Sequence, residues 1–284
     1  MNKSVLLRPV WPLALALLWG CNGNDGTSGG SNPPEDNHDH HKDYPVVGQL
    51  NDTGLVLCAG PETTEQPCPQ AELPGQDAEY GRDLAAAQGT LSKTGGGVAG
   101  FDWTKLDSTG APLAIQDGSW DPAGTEAEGT RWSCVRDNVT GLIWEIKESD
   151  PSHPRYTGHT YRWVLDGDEY NGAFPDQSSS GTCGTDSCDT QSFVNWVNQN
   201  SLCGFSDWRL PSVAELSSIV VMSNALPAVD TAYFPDVKEP RFFTNQSLAR
   251  DPSRAWYIYF SDGSASFTNK GDASHVRLVR GGQQ

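Results

Sequence analysis

A short acidic segment is the part of this chain whose side chains are best suited to bind a metal ion. Asp166, Asp168 and Glu169 place three carboxylates within four residues, and Asn171 adds an amide oxygen. Hard oxygen ligands at this density suit Ca²⁺, although the bidentate glutamate that completes an EF-hand loop is missing. A solvated acidic loop is the alternative interpretation. Calcium is therefore the one cofactor that the sequence offers, and no other cofactor is expected.

Two aromatic residues, Tyr161 and Trp163, lie just before the acidic segment. Aromatic rings of this kind stack on the apolar faces of sugars, while their polar ends bond to hydroxyl groups. The segment from Tyr161 to Asn171 also falls between two regular elements, and binding residues concentrate on loops that a rigid scaffold presents. We therefore predict a ligand site here. Its carboxylates favour a neutral or cationic ligand, such as a sugar whose hydroxyls donate to them.

Seven cysteines give information about the compartment and the cross-links. Six of them form an even set, which in an exported chain indicates three disulfides: Cys58, Cys68, Cys134, Cys183, Cys188 and Cys203. Fifteen pairings are possible for six cysteines. Local spacing favours Cys58–Cys68 and Cys183–Cys188 as short loops, which leaves Cys134–Cys203. A metal site at Cys183 and Cys188 is the alternative, but no second pair of cysteines or histidines has zinc-like spacing.

The seventh cysteine, Cys21, ends an N-terminal export signal. Residues 1–20 contain two basic residues and an apolar run of about ten residues, half the length that a membrane-spanning helix needs. The run ends Leu-Trp-Gly-Cys, which resembles the lipobox of bacterial lipoproteins; a signal cleaved elsewhere is the alternative. Lipidation at Cys21 would anchor the exported chain to a membrane. Asn22, in place of the aspartate that retains such proteins at the inner membrane, favours the outer membrane.

The composition excludes several partners and reaction types. The chain carries a net charge of -17 and no basic cluster, so nucleic acid is not an expected partner. The same charge repels sulfated polymers. No nucleophile elbow, zinc-protease motif or phosphate-binding loop occurs in the sequence. We therefore expect a protein that is not an enzyme.

The chain divides into four segments by composition. After the signal, residues 21–43 are rich in Gly, Asn, Asp, Pro and His, which predicts a disordered tether. Residues 44–130 carry short apolar patches separated by Gly and Pro, which predicts a loop-rich β region. Residues 131–282 show stronger periodicity and form the main predicted domain.

Within that domain, alternation and capping signals predict the elements. Residues 140–147 alternate apolar and polar side chains, as a half-buried strand does. Asp189 or Thr190 begins a predicted helix that runs to about residue 202. A capping box formed by Ser212 and Glu215 begins a second helix. Asp262-Gly263 between two alternating runs predicts a β-hairpin.

A series of ordered motifs carries a family resemblance. The motifs are Trp132-Ser-Cys-Val-Arg-Asp137, Thr140-Gly-Leu-Ile-Trp-Glu145, Cys203-Gly-Phe-Ser-Asp-Trp-Arg-Leu-Pro211 with Glu215-Leu216, Phe234-Pro235, Ala255-Trp-Tyr257 and Val276-Arg-Leu-Val-Arg280. In this order they resemble the C-terminal domain family named after the Legionella collagen-like adhesin (Lcl). The resemblance covers a little over half of the chain that remains after the signal.

The resemblance implies an α+β fold like that of C-type lectins and formylglycine-generating enzymes, with two helices and small, irregular antiparallel sheets. It also implies surface adhesion and glycan binding, the roles known for this family. A non-catalytic adhesion module on the cell envelope, with a glycan or another cell-surface molecule as its partner, is therefore the expected function. A relative of the formylglycine-generating enzymes and a purely structural envelope protein are the alternatives.

The motif residues themselves are expected to be structural. Trp144 lies on the apolar face of its predicted strand. Arg209 and Arg280 are expected to pair with Glu145, Asp207 or Glu215 in a buried network rather than to bind an anion. The residues assigned to this structural motif are Trp144, Glu145, Asp207, Trp208, Arg209, Glu215 and Arg280.

Overall fold

The structure is a computed structural model that describes residues 51–170, 181–185, 187–224, 226–235, 237 and 241–281. All the described residues belong to one compact unit. The predicted signal, Cys21, the tether and Asn171 lie outside the described residues. Among the described residues, no helix is long and apolar enough to cross a membrane.

Two small antiparallel sheets and a few short helices make up the α+β fold. The strands are β1 Trp103–Leu106, β2 Cys134–Asp137, β3 Leu142–Glu145, β4 Arg241–Leu248, β5 Asp251–Tyr259, β6 Ser264–Asn269 and β7 Val279–Gly281. The first sheet has the order β1-β2-β3-β7 and the second has the order β4-β5-β6. The helices are α1 Gly81–Ala87, α2 Thr190–Gln199 and α3 Val213–Ser217, with single 3-10 turns at Asp77–Glu79 and Leu202–Gly204.

The first sheet joins the loop-rich region to the main domain. Strand β1 comes from the 44–130 region, yet it pairs along its whole length with β2, from Trp103 opposite Asp137 to Leu106 opposite Cys134. The side chains of β3 are buried on both faces, so this strand lies in the centre of the protein. The 44–130 region therefore belongs to the same compact unit as the domain that follows it.

The predicted helices form where their capping signals stand. Asp189 caps α2 by accepting a hydrogen bond from the Ser192 amide at 2.7 Å. Ser212 and Glu215 form the predicted capping box at α3. Helix α1 also forms, although its seven residues are too few for a helix that is stable alone. The buried Asp83 carboxylate ties α1 to the amides of Gly54 and Gly100, each at 2.6 Å, and this tertiary pairing holds the short helix.

Three disulfides cross-link the described residues, in the pairing that local spacing favoured. Cys58 bonds to Cys68 and Cys183 bonds to Cys188, each across a short loop. Cys134 on β2 bonds to Cys203 after α2, at a sequence separation of 69. The long bridge therefore ties the first sheet to the segment after α2, and the predicted pairing is confirmed.

Candidate functional site

The aromatic residues predicted to face a ligand lie in the core. Tyr161 is 1 % exposed and Trp163 is 0 % exposed, and both pack in the same apolar cluster as Phe193. The Trp163 indole nitrogen donates to the Thr244 carbonyl oxygen at 2.7 Å. No face of either ring is open to a sugar, so the prediction that Tyr161 and Trp163 bind a ligand was wrong.

One carboxylate of the acidic segment, that of Asp168, already binds a cation of the protein itself, the Lys270 ammonium. The ammonium of Lys270, a fully buried residue, donates to Asp168 at 2.7 Å and lies 4.0 Å from the centre of the Trp163 ring. Ser247 donates to the other oxygen of Asp168 at 2.8 Å. An ammonium at this position repels a divalent cation, because the two like charges would share one carboxylate. Asp168 therefore anchors the loop to Lys270.

The other members of the acidic segment do not gather around a point. Asp166 and Glu169 are exposed, and Asn171 lies outside the described residues. In the described part of the chain, the group of carboxylates close enough to share one ion is a different one, formed by Asp52, Asp77 and Asp83. The calcium site expected around Asp166, Asp168 and Glu169 is therefore not assembled by the described residues.

The three carboxylates of Asp52, Asp77 and Asp83 lie within 4.8 Å of one another. Burial raises the pKa of Asp83, and the neighbouring negative charge of Asp52 adds to this effect. Both Asp83 oxygens already accept backbone amide bonds, and Asp52 accepts the Asp83 amide at 3.0 Å. These bonds give the cluster a structural role in holding α1 to the segment that precedes it.

The arginines of the family motif form ion pairs, as predicted, but the pair between Arg280 and Asp207 is exposed and not part of a buried network. Arg209 binds Glu215 through two hydrogen bonds of 2.8 and 2.6 Å, and Arg280 binds Asp207 through two of 2.7 and 3.0 Å. Burial raises the pKa of Glu215, but the bonds from Arg209 outweigh this effect and hold the pKa below its usual value. Arg280 joins the segment around Trp208 to the β7 strand, and Arg209 joins the same segment to α3.

Glu145 has a different partner from those that the sequence offered. It is fully buried, and it accepts from the Lys147 ammonium at 2.9 Å and from the Leu278 amide at 3.0 Å. Burial lowers the pKa of Lys147 to about 8. Trp144 and Trp208 are also buried, and the Trp208 indole donates to the Leu202 carbonyl oxygen at 3.0 Å. These residues therefore have the structural role that the sequence predicted.

A cleft of about 460 Å³ lies at one side of the second sheet. Its lining combines two tyrosines with a single cation and several small polar groups: Gly158, Thr160, Arg241, Tyr257, Tyr259, Ala273, Ser274 and His275. The volume falls within the range of pockets that hold small ligands. This cleft is the candidate functional site.

Adjacent extended segments build the cleft. Arg241 on β4 lies directly opposite Tyr259 on β5. The segment that contains Ser274 and His275 runs beside β4, since His275 bridges to Phe242, and Ser274 in turn bridges to Tyr161. The walls of the cleft therefore come from neighbouring extended segments. The backbone hydrogen bonds between these segments fix the spacing of the side chains that line the cleft.

Tyr257, Tyr259 and Arg241 form the part of the cleft that a ligand would contact. The rings of Tyr257 and Tyr259 are 6.4 Å apart, and Tyr259 is 36 % exposed. The Arg241 guanidinium lies 5.6 Å from the centre of the Tyr257 ring and donates to the Ala273 carbonyl oxygen at 2.7 Å. Such a surface offers apolar ring faces and hydrogen-bond donors together, which is the combination that sugar recognition requires.

His275 adds a neutral group to the wall of the cleft. Burial, together with the positive charge of nearby Lys147, lowers its pKa to about 4. His275 is therefore uncharged at neutral pH, and Arg241 carries the charge of the cleft. The imidazole also makes hydrogen bonds to the backbone of His159 and Thr157, which hold it in the wall.

Sequence reasoning missed this site, although one signal for it was present. On β5, Trp256 and Ile258 alternate with Tyr257 and Tyr259, so the two tyrosines share the opposite face of the strand. The Ala255-Trp-Tyr257 motif, which carries part of the family resemblance, contains the first of these tyrosines. Ser274 and His275 reach the cleft through long-range bridges that no local pattern contains.

One comparison with known proteins identifies a family. The family model described as the Lcl C-terminal domain matches residues 133–280. That range contains β2 to β6, α2, α3, the first two residues of β7 and every residue that lines the cleft. The search of curated proteins found no match.

Proposed function

The chain belongs to the family of the Lcl C-terminal domain, and from this premise we propose that it is a non-catalytic adhesion module that binds glycans at the cell envelope. The binding site is the cleft lined by Arg241, Tyr257 and Tyr259. The observation that carries the proposal is the placement of two tyrosine rings beside an arginine in an open cleft. Family membership supports an adhesin-like role and does not by itself choose the ligand.

The proposal includes a C-type-lectin-like fold for residues 131–282. Two small antiparallel sheets, few helices and many loops agree with such a fold. The long disulfide from Cys134 to Cys203 stabilises an assembly with little regular structure. In a fold of this type the loops are free to vary while the disulfides hold their ends, which suits a binding module.

The absence of catalysis is also part of the proposal. A formylglycine-generating type of enzyme needs a reactive cysteine, and each cysteine among the described residues is bonded to another. The charged residues of the family motif are taken up by ion pairs, such as Arg209 with Glu215. These observations favour a binding protein over the enzyme.

Display at the envelope follows from the N-terminal sequence. Cys21 would carry the lipid that joins the chain to a membrane, with the outer membrane favoured by Asn22. The 21–43 tether would hold the domain away from the headgroups. Disulfides require an oxidising compartment outside the cytoplasm, which supports export. The expected partners are a glycan or another cell-surface molecule, with no role for nucleic acid.

A glycan array probed with the full chain tests the proposal. The chain would be kept in solution by a detergent without a sugar headgroup. We expect binding to a restricted set of glycans, and Tyr259→Ala should weaken it about tenfold through the loss of ring stacking. Tyr80→Ala is the matched control, because Tyr80 is 61 % exposed and lies outside the cleft.

Each outcome separates the proposal from an alternative. Binding that Tyr259→Ala weakens and Tyr80→Ala leaves unchanged supports the cleft. Equal binding by all three proteins would reject the cleft as the site. A chemically altered glycan would favour the enzyme, and a folded chain that binds no glycan would favour a structural envelope protein.

A further inference from the structure

The cleft differs from the rest of this protein in its charge. The chain has a net charge of -17, yet among the described residues that line the cleft Arg241 carries the only full charge. Arginines elsewhere in the described part, such as Arg155, Arg209 and Arg280, pair with carboxylates. Within the described residues, no carboxylate forms an ion pair with Arg241. Arg241 therefore presents to the cleft a positive charge that no carboxylate of the described residues neutralises.

The guanidinium is held in place without being neutralised. One of its nitrogens donates to the Ala273 carbonyl oxygen at 2.7 Å, and its plane packs near the Tyr257 ring. These two contacts restrict the side chain and leave other N–H donors free. Arginine presents its donors as a fixed fork that matches the two oxygens of a carboxylate.

We propose that the cleft recognises a carboxylate-bearing sugar, with Arg241 pairing the carboxylate. This inference rests on the proposed function, because it names the class of glycan that the same site takes. Tyr257 and Tyr259 contact the ring of the sugar. A single cation matches a single carboxylate, whereas a densely sulfated polymer would meet the negative charge of the surrounding surface.

The register of the second sheet extends the site toward β6. Ser264 lies opposite Tyr259, and Ser266 lies opposite Tyr257. Directly opposed residues of an antiparallel pair project from the same face. The two serines therefore continue the tyrosine face beyond the cleft, where a second sugar unit of a chain would lie.

The experiment compares one oligosaccharide in two forms. Calorimetric titration of the full chain would use an oligosaccharide that contains glucuronic acid and the same compound after reduction of its carboxyl group to an alcohol. We expect the acid to bind at least about tenfold more tightly at low salt, as a charge-assisted pair requires. Added salt should weaken binding of the acid and leave the reduced form unchanged.

Two variants assign the effect to Arg241. Arg241→Met should remove the preference for the acid, and Arg241→Lys should retain part of it through the charge alone. Arg250→Met is the matched control, because Arg250 packs on Phe267, which lies on the opposite face of the same sheet from Tyr257. Circular dichroism checks that each variant is folded, and the salt dependence of the unmodified chain tests the proposal without any variant.

The outcomes distinguish this proposal from the one that it rests on. Equal binding of the acid and the reduced form would overturn the carboxylate proposal while leaving a glycan site in the cleft. Binding of neither form, together with an array that shows no ligand, would overturn both. Tight binding of a sulfated oligosaccharide that lacks carboxyl groups would replace carboxylate recognition by general anion binding.

Discussion

Asp168 was predicted to bind a ligand or calcium, but its tertiary partner Lys270 gives it a structural role. Its carboxylate bonds to the buried ammonium of Lys270 at 2.7 Å, so removing it leaves a buried cation without its partner. We expect Asp168→Ala to lower the free energy of unfolding by about 2 kcal/mol. Glu169→Ala is the control and should change it by less than about 0.5 kcal/mol, because Glu169 is exposed. Urea unfolding measures both, and equal effects would show that the ion pair contributes nothing.

At the scale of single residues, sequence reasoning succeeded where local spacing decides and failed where distant partners decide. The bonds of Cys58 to Cys68 and of Cys183 to Cys188 follow from short loops. The burial of Trp163 depends on Thr244 and Lys270, which are 81 and 107 residues away in sequence. No pattern around Trp163 shows that these residues will cover its ring.

Among the elements, α3 depends most on its cap, because it contains only five residues. The Ser212 hydroxyl accepts a hydrogen bond from the Glu215 amide. The Glu215 carboxylate accepts one from the Ser212 amide at 2.8 Å and also binds Arg209. We expect Ser212→Ala to destabilise the protein by about 1 kcal/mol, the usual contribution of a cap. Glu215→Ala should cost about 3 kcal/mol, because it also leaves Arg209 unpaired. Equal losses in urea unfolding would contradict the dual role of Glu215.

The predicted elements were those with a complete local signal. The strand at Leu142–Glu145, the α2 helix and the hairpin around Asp262-Gly263 appear where alternation and capping predicted them. Strand β1 gave no such signal, because its four buried residues do not alternate and are stabilised by pairing with β2. The complete cleft likewise could not be predicted from local patterns, because only tertiary bridges bring together the segments that form its walls.

Across the whole molecule, the disulfides differ in how much chain they close. The Cys134–Cys203 bond closes a loop of about 70 residues, while Cys183–Cys188 closes one of about 6. On the chain-entropy model these loops contribute about 4 and about 2 kcal/mol. Replacing both cysteines of the long bridge with alanine should therefore lower the unfolding free energy about twice as much as the same change in the short bridge. Urea unfolding of the two double variants would contradict this model if the short bridge proved the more important.

At the scale of the whole molecule, the proposed attachment at Cys21 has to overcome the repulsion between a chain of net charge -17 and anionic lipid headgroups. A lipid on Cys21 would overcome this repulsion, since each buried methylene contributes about 0.8 kcal/mol to membrane binding. We expect Cys21→Ser to move the protein from the membrane fraction to the soluble fraction or to leave its signal uncleaved, and to abolish labelling by a fatty-acid analogue. Cys183→Ser with Cys188→Ser is the control, because it removes two cysteines that are not expected to carry lipid and should leave the labelling intact. If Cys21→Ser is labelled as strongly as the unmodified chain, the anchor lies elsewhere, and the glycan proposal then has to be tested for a protein that is not held at this cysteine.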